Sequence, residues 1–247
     1  MKIHYSHEVR TTFKEKIPVL ALESTIISHG MPFPQNLEFA SRAESMCRDQ
    51  GVVPATIAII KGKIYAGLNK NQIEFIAKDS SVKKVSRREI GLALFSGWSG
   101  ALTVSATMHI AKAAGIQAFS TGGIGGVHRD AIDTFDISED LSALSSTPIV
   151  IVSAGAKAIL DIGKTLEYLE TAGVVVLGYK TNEFPAFYSR LSGFNGIHQV
   201  DTAEHIANMY KEHIRCQLKS AVLVANPVPI KDEIPAKDME TIIICKT

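Results

Sequence analysis

The amino-acid sequence predicts an α/β fold with a mostly parallel or mixed sheet and helices on both faces. Two observations favour this class. Short apolar runs of strand length alternate with longer amphipathic stretches, and glycine or proline marks many of the junctions between them. No internal repeat, low-complexity linker or block of like charge marks a boundary in the sequence. We therefore expect a single domain over residues 1–247.

The first half of the chain carries clear helix and turn signals. Apolar residues recur at helical spacing from Leu37 to Cys47, and Gly51 stands where a helix-ending glycine is typical. Gly62 lies between two β-rich runs and suits a hairpin turn. In order, the predicted elements are a strand at 18–27, a helix at 36–50, strands at 56–60 and 64–66, a helix at 71–78, a strand at 82–85 and a helix at 88–95.

The second half continues the alternation. Gly115 ends a helix, and Asp201 with Glu204 three residues later forms a capping box at the start of another. In order, the predicted elements are a helix at 107–114, strands at 116–119 and 148–152, a helix at 157–171, a strand at 174–179, a helix from 201 to about 218 and a strand at 221–225.

The composition excludes several classes of protein. Lys and Arg number 26 against 25 Asp and Glu, so the net charge of +1 provides no field to hold nucleic acid. The longest apolar runs are far shorter than the ~20 residues that span a bilayer, so we expect no membrane partner. Cys47, Cys216 and Cys245 are few and scattered, as is typical of a reducing compartment. We therefore expect a cytoplasmic protein.

A glycine-rich segment over residues 120–129 is the strongest local signal. It places four glycines in five positions, which lets the backbone approach a ligand closely. Thr121, His128 and Arg129 add a hydroxyl, an imidazole and a guanidinium, which together suit a phosphate monoester. A purely structural turn after a strand is an equally weighted alternative.

An acidic segment follows directly. Five carboxylates lie within eleven residues, namely Asp130, Asp133, Asp136, Glu139 and Asp140. Such a density suits a hard divalent cation with oxygen ligands, whereas the alternative is a solvated loop leading into a helix. Asp136 differs from its neighbours because it stands between Phe135 and Ile137, in a locally apolar part of the sequence.

Two further residues have ambiguous surroundings. Lys157 lies among small and apolar residues at a predicted strand-to-helix junction, where loss of solvent would make its amine nucleophilic toward a carbonyl. The alternative is a surface lysine at the start of a helix. Glu23 ends a strand that is expected to be buried, so it is either a proton donor or a helix-cap partner.

Taken together, these segments resemble the pseudouridine-5′-phosphate glycosidase family, which includes the indigoidine synthase A-like proteins. The similarity runs in order from about Val19 to Pro229. The matching motifs are Ala21-Leu22-Glu23-Ser24-Thr25, His29-Gly30-Met31-Pro32, Lys84-Val85-Ser86-Arg87-Arg88, Thr103-Val104, residues 121–129, Thr134-Phe135-Asp136-Ile137-Ser138, Ala154-Gly155-Ala156-Lys157, Glu167-Tyr168-Leu169-Glu170-Thr171, Pro185-Ala186-Phe187 and Val224-Ala225-Asn226-Pro227.

The resemblance implies a fold and an activity. The fold is a three-layer α/β/α sandwich with a mixed, mostly parallel sheet, assembled as a homotrimer. The activity is reversible cleavage of the C–C glycosidic bond of pseudouridine 5′-phosphate to uracil and ribose 5-phosphate, with a divalent metal, usually Mn²⁺. By resemblance, Lys157 is the nucleophile that forms an imine, Glu23 the proton donor and Asp136 the metal ligand. The implied substrate-binding residues are Lys84, Val104, Ser138, Glu139 and Asp140.

The sequence departs from the family at its C-terminal end. The family continues past the Asn-Pro-x-Pro motif into a segment with an asparagine that contacts the nucleobase, and residues 231–247 do not match it. Two hypotheses follow: an active glycosidase, or an impaired, noncatalytic member that binds phosphosugars. Retention of Glu23, Asp136 and Lys157 favours the first, and the missing segment favours the second. We expect binding of ribose 5-phosphate with weak cleavage.

Overall fold

The computed structural model of the chain describes residues 1–244, so Cys245 lies outside the described residues. The chain divides into two compact units, Met1–Ser120 and Thr121–Thr247. Within the described residues, seven of the ten strand pairings are parallel and three are antiparallel. This mixed, mostly parallel arrangement with helices on both sides confirms the predicted α/β class. The expectation of a single domain stays a prediction.

The first unit alternates strands and helices throughout. Its elements are β1 (Ile3–Tyr5), α1 (His7–Glu15), β2 (Val19–Leu22), a π-helical turn (Ile26–Gly30), α2 (Gln35–Asp49), β3 (Val53–Ile60), β4 (Lys63–Ala66), α3 (Lys70–Lys78), β5 (Lys83–Val85), a 3₁₀ turn (Arg87–Glu89), α4 (Ile90–Phe95), β6 (Gly100–Leu102), α5 (Val104–Ala113) and β7 (Ala118–Ser120).

Strand β2 lies at the centre of this unit's parallel strands. It pairs in parallel with β3 on one side and β7 on the other, with Leu22 level with both Thr56 and Ser120. Strand β3 also pairs with β4 and β6 in the antiparallel sense, and β5 runs parallel to β6. Side chains after the carboxyl ends of parallel strands are well placed to meet ligands.

The second unit has the same alternation. Its elements are β8 (Val127–His128), α6 (Ala131–Thr134), α7 (Glu139–Ser146), β9 (Val150–Ser153), β10 (Leu160–Asp161), α8 (Ile162–Thr171), β11 (Val175–Tyr179), β12 (His198–Val200), α9 (Ala203–Arg215), β13 (Val222–Ala225), a 3₁₀ turn (Ile230–Asp232) and α10 (Ala236–Ile244). Strands β9, β13, β11 and β12 are parallel in that order, and β8 pairs with β10 in the antiparallel sense.

One hairpin and two helices lie where patterns among neighbouring residues predict them. Strands β3 and β4 pair in antiparallel register about Lys61 and Gly62, which both have positive φ, so the hairpin is confirmed. Helix α2 is confirmed, and Gly51 follows it with φ of 70°. Helix α3 is also confirmed, and a capping box from Asn69 begins it.

The predicted strand at 18–27 is wrong beyond Leu22. The buried Ser24 hydroxyl donates to the Ile57 carbonyl at 2.6 Å and accepts from the Leu102 amide at 2.9 Å. These two bonds fix the chain where the strand ends, and the π-helical turn Ile26–Gly30 follows.

Two predicted helix starts are also wrong. Helix α8 begins at Ile162 instead of residue 157, because Leu160 and Asp161 are held extended by pairing with His128 and Val127. The start of α9 is capped by Thr202, whose hydroxyl accepts from the His205 amide, whereas Asp201 accepts from the Gln199 side chain.

No helix within residues 1–244 combines the length and the apolar character that crossing a bilayer requires.

Candidate functional site

Three of the predicted site residues lie in the first unit. Glu23 directly follows β2 and is half-buried. Lys84 is exposed on β5, opposite Ala101, and Val104 is the buried first residue of α5. The Thr103 amide donates to the Val85 carbonyl at 3.0 Å, so the strand that carries Lys84 adjoins the start of α5.

The remaining predicted residues lie in the second unit, around the glycine-rich segment. Four amides from Ile124 to His128 in this segment already donate to the protein itself. The bonds run from Ile124 to the Gly155 carbonyl (3.0 Å), from Gly125 to Asp140 Oδ2 (2.9 Å), from Val127 to Thr165 Oγ1 (3.0 Å) and from His128 to the Asp136 carbonyl (3.0 Å). These four amides therefore do not form the ligand cradle that the sequence suggested, and the segment is a packed, rigid support.

Close packing explains why glycine is required here. A Cβ atom on Gly125 would lie 2.1 Å from Ser138 Oγ, and one on Gly126 would lie 2.4 Å from Thr165 Oγ1. Both hydroxyls come from elements that follow the segment in the chain. Any larger residue at either position would push these elements away.

The acidic segment divides into a buried part and an exposed part. Asp140 is 5% exposed and holds the Gly125 amide, whereas Ser138 caps α7 by accepting from the Asp140 amide at 3.3 Å. Glu139 is half-buried in the first turn of the same helix. The structure thus gives Asp140 a positioning role, and its predicted contact with substrate stays a prediction.

Asp136 lies in the exposed part. Its side chain is 61% exposed, and its neighbours Phe135 and Ile137 are 81% and 40% exposed, so the apolar setting expected from the sequence is wrong. His128 Nε2 lies 3.7 Å from Asp136 Oδ2. Among the described residues, no group of three or more His, Cys, Asp and Glu side chains could hold a metal ion.

Lys157 lies in the loop between β9 and β10. Its amide donates to the Ile124 carbonyl at 3.1 Å, and its own carbonyl accepts from the Leu160 amide at 3.0 Å. The side chain is half-buried, and Arg129 reaches the next carbonyl, that of Ala158, at 3.4 Å. The structure therefore brings Lys157, Arg129 and the glycine-rich segment together within the second unit.

Asp161 ends the Lys157 loop and starts the next helix. Its carboxylate accepts from the Lys164 amide at 3.0 Å and pairs with the Lys164 ammonium at 2.8 Å. Burial alone would raise the pKa of Asp161, but these two bonds and the charge of Arg129 together lower it. A cavity of about 400 Å³ adjoins the loop, and its lining includes Arg129, Asp161 and Phe194.

No pattern in the sequence indicates the role of Thr165. Its buried hydroxyl accepts from the Val127 amide and donates to the Asp161 carbonyl at 2.6 Å. The two bonds join the glycine-rich segment to the loop that carries Lys157. Because Val127 and Thr165 are far apart in the chain, only the tertiary structure shows this link.

Loss of the Asp140 carboxylate should loosen the glycine-rich segment. Asp140→Ala is expected to lower the free energy of unfolding by about 1–3 kcal/mol, because the buried Gly125 amide loses its acceptor. Urea denaturation measures the change. The exposed Asp133 provides a control, and Asp133→Ala should stay within about 0.5 kcal/mol of the unaltered protein. Equal, small effects of both substitutions would contradict the positioning role.

Comparison with known proteins gives concordant matches. The family model described as indigoidine synthase A like protein matches residues 8–245. A pseudouridine-5′-phosphate glycosidase of Caldanaerobacter subterraneus is 52% identical over 227 residues, which cover 92% of this chain and 74% of that protein. The protein of the same name from Clostridium botulinum is 53% identical over 228 residues, with the same two coverages of 92% and 74%.

Two solved structures share the fold. An indigoidine synthase A-like protein from Thermotoga maritima superposes with a TM-score of 0.90 at 36% identity, over 98% of this chain and 79% of that one. The prealnumycin C-glycosynthase AlnA, solved in complex with ribulose 5-phosphate, also gives a TM-score of 0.90, at 41% identity over 97% of this chain and 78% of that one.

Proposed function

Because this chain belongs to the indigoidine synthase A-like protein family, we propose that it is a pseudouridine-5′-phosphate glycosidase. It cleaves the C–C bond between C1′ of the ribose and C5 of the uracil, with uptake of one water, to give uracil and ribose 5-phosphate. The proposal rests on sequence identity. Two proteins named for this activity share about half of their aligned residues with this chain, and the alignments cover about nine-tenths of it. The comparisons with known proteins do not favour the noncatalytic alternative.

The scissile bond explains why a lysine is needed. A carbon–carbon glycoside has no heteroatom leaving group whose protonation would release the base directly. In the proposed reaction the amine of Lys157 bonds to C1′ while the C1′–O4′ bond of the ribose ring opens. The nitrogen lone pair then forms the C=N bond of an imine as the C1′–C5 bond breaks. Water hydrolyses the imine, which frees ribose 5-phosphate and restores the lysine.

Two protons must be supplied along this path. The ring oxygen O4′ takes one when the ribose opens, and C5 of uracil takes one when it leaves. By resemblance, Glu23 is the donor, and between the two transfers it regains the proton that the Lys157 nitrogen loses after bonding to C1′. Its place directly after the carboxyl end of β2, half-buried, suits a carboxyl group that exchanges protons with a ligand.

The cationic and hydroxyl side chains are proposed to bind the phosphosugar. The rigid glycine-rich segment carries Thr121 near its start and His128 and Arg129 at its end, and a guanidinium is well suited to phosphate. Lys84 is the proposed phosphate partner in the first unit. By resemblance, Val104, Ser138, Glu139 and Asp140 complete the substrate-binding set.

A divalent ion, Mn²⁺ by resemblance, fits the residues present as a hydrated ion. Asp136 offers one exposed carboxylate with the His128 imidazole 3.7 Å away, and hard divalent ions are often held by one or two carboxylates, several waters and a substrate phosphate. Asp136 would hold such an ion. When bound, the ion supplies positive charge that offsets the negative charge of the substrate beside it.

Removal of Asp136 tests the metal proposal. Asp136→Ala should weaken the manganese stimulation of uracil release by about 10- to 100-fold, because the ion loses its carboxylate. The unfolding midpoint should not change, since the Asp136 side chain is largely exposed. Asp133→Ala serves as the matched control. Equal rates of the unaltered protein in manganese and in chelator would contradict the metal proposal.

A homotrimer and a cytoplasmic location are further parts of the proposal. The trimer rests on the resemblance alone, and sedimentation equilibrium would measure it. The location is supported by the sparse cysteines, of which Cys47 and Cys216 are free thiols.

The decisive experiment measures uracil released from pseudouridine 5′-phosphate by the purified protein with manganese, and pseudouridine 5′-phosphate formed from uracil and ribose 5-phosphate. We expect product in both directions. Absence of product in both directions, with ribose 5-phosphate still bound, would contradict the glycosidase proposal.

A further inference from the structure

One motif of the sequence has no role in the proposed reaction so far, namely Pro185-Ala186-Phe187. Phe187 has a left-handed backbone conformation with φ of 64°, which is unfavourable for a bulky aromatic residue. The Phe187 amide donates to the Ala154 carbonyl at 3.1 Å, and the Ala186 amide donates to the Ser189 carbonyl at 2.9 Å. Strained residues of this kind cluster at ligand sites, where the surrounding structure holds them in place.

The chain that follows Phe187 is tied down firmly. The buried Ser189 hydroxyl donates to the Ile234 carbonyl at 2.6 Å, and the Ile234 amide donates to the Tyr188 carbonyl at 2.9 Å. The Arg190 amide donates to Glu233 Oε1 at 2.9 Å. The aromatic ring is thereby presented by a rigid loop, which is what a contact surface for a ligand requires.

The ring of Phe187 packs against the glycine-rich segment. A Cβ atom on Gly123 would lie 2.4 Å from Cε2 of Phe187, and one on Gly122 would lie 3.8 Å from the same atom. The ring therefore fills the space that a side chain at Gly123 would need. Phe187 is half-buried as a whole, so part of its surface stays accessible.

The same loop runs beside the chain that leads to Lys157. Gly155 and Ala186 form an antiparallel bridge, and a Cβ atom on Gly155 would lie 2.3 Å from the Pro185 carbonyl oxygen. Lys157 is two residues beyond Gly155. The backbone at Pro185 and Ala186 thus adjoins the chain that leads to Lys157, and the ring of the next residue, Phe187, packs against the glycine-rich segment.

From this placement we infer that Phe187 is a specificity residue for the base: its ring forms the surface on which the pyrimidine stacks. The inference rests on the proposed function. The departing C5 of uracil is bonded to C1′ until the bond breaks, and C1′ is bonded to Lys157, so the flat base must lie close to the Lys157 loop. A rigid, uncharged aromatic ring provides the contact that a planar base prefers.

Matched substitutions at two aromatic residues test this inference. Phe187→Leu keeps an apolar side chain but removes the flat ring, and Phe95→Leu makes the same change at an aromatic residue of α4 that is 91% exposed. Phe187→Gly removes the ring and suits the positive φ, so it should fold even where Phe187→Leu does not. Phe187→Tyr keeps the ring. The KM for uracil and for ribose 5-phosphate is measured in the direction of synthesis, and borohydride-trapped adduct is measured with ribose 5-phosphate alone.

We expect Phe187→Leu and Phe187→Gly to raise the KM for uracil about 5- to 150-fold, the range for loss of one base–aromatic stack. The KM for ribose 5-phosphate and the yield of adduct should not change. Phe187→Tyr and Phe95→Leu should match the unaltered protein. An unchanged KM for uracil in Phe187→Gly, or an equal rise in the KM for ribose 5-phosphate, would overturn the inference.

Failure of the proposed function can be recognised separately. In that case the unaltered protein forms no product. The affinity for uracil can then be measured by calorimetry, with the unaltered protein and with Phe187→Gly, each saturated with ribose 5-phosphate. Weaker binding to Phe187→Gly supports the stacking surface without the reaction. Equal binding, or no binding to either, overturns the inference.

Discussion

Lys157→Ala is expected to abolish uracil release, with a loss of at least about 10³-fold in rate, because no other group would form the covalent bond to C1′. Borohydride reduction in the presence of ribose 5-phosphate should add one sugar phosphate to the unaltered protein and none to the variant. Mass spectrometry of the intact protein and of its peptides measures both the mass and the position of the adduct.

Two further variants separate nucleophilicity from charge. Lys157→Arg keeps a positive charge in the loop, but a guanidinium stays protonated and cannot bond to C1′, so this variant should also be inactive. Lys211→Ala removes an exposed lysine from α9 and should keep full activity. An adduct that persists in Lys157→Ala would place the imine on another lysine and contradict the assignment.

Elements governed by neighbouring residues could be predicted from the sequence. Helix α2 has its own apolar spacing and a glycine of positive φ after its end, and the β3–β4 hairpin has Gly62 in its turn. The end of β2 could not be predicted, because the buried Ser24 hydroxyl ends the strand through bonds to Ile57 and Leu102, far away in the sequence.

The same limit applies around the candidate site. The spacing of the carboxylates identified an acidic segment, but did not show that Asp140 is buried on the Gly125 amide while Asp136 is exposed beside His128. The residues around Lys157 suit a helix, so the sequence predicts that Lys157 starts one. The structure holds it in a loop, since β10 pairs with β8 through residues about thirty positions earlier in the chain.

The assignment of Glu23 gives the second large expected effect. Glu23→Gln keeps the size of the side chain and its capacity for hydrogen bonds but removes the exchangeable proton. We expect the rate of uracil release to fall by about 10²- to 10⁴-fold, the range for loss of a general acid. The unfolding midpoint should change little, because Glu23 is only half-buried and glutamine retains its shape.

A second measurement distinguishes a proton donor from a residue that only supports the fold. Ribose 5-phosphate in water includes an open-chain aldehyde, which can form the imine with Lys157 without any help in ring opening. Glu23→Gln should therefore still give the borohydride-trapped adduct at Lys157, although it no longer cleaves the glycoside. Glu38→Gln, at a carboxylate in the first turn of α2, is the matched control and should be fully active. Loss of the adduct together with cleavage in Glu23→Gln would show that Glu23 maintains the structure of the site, and would contradict its role as the proton donor.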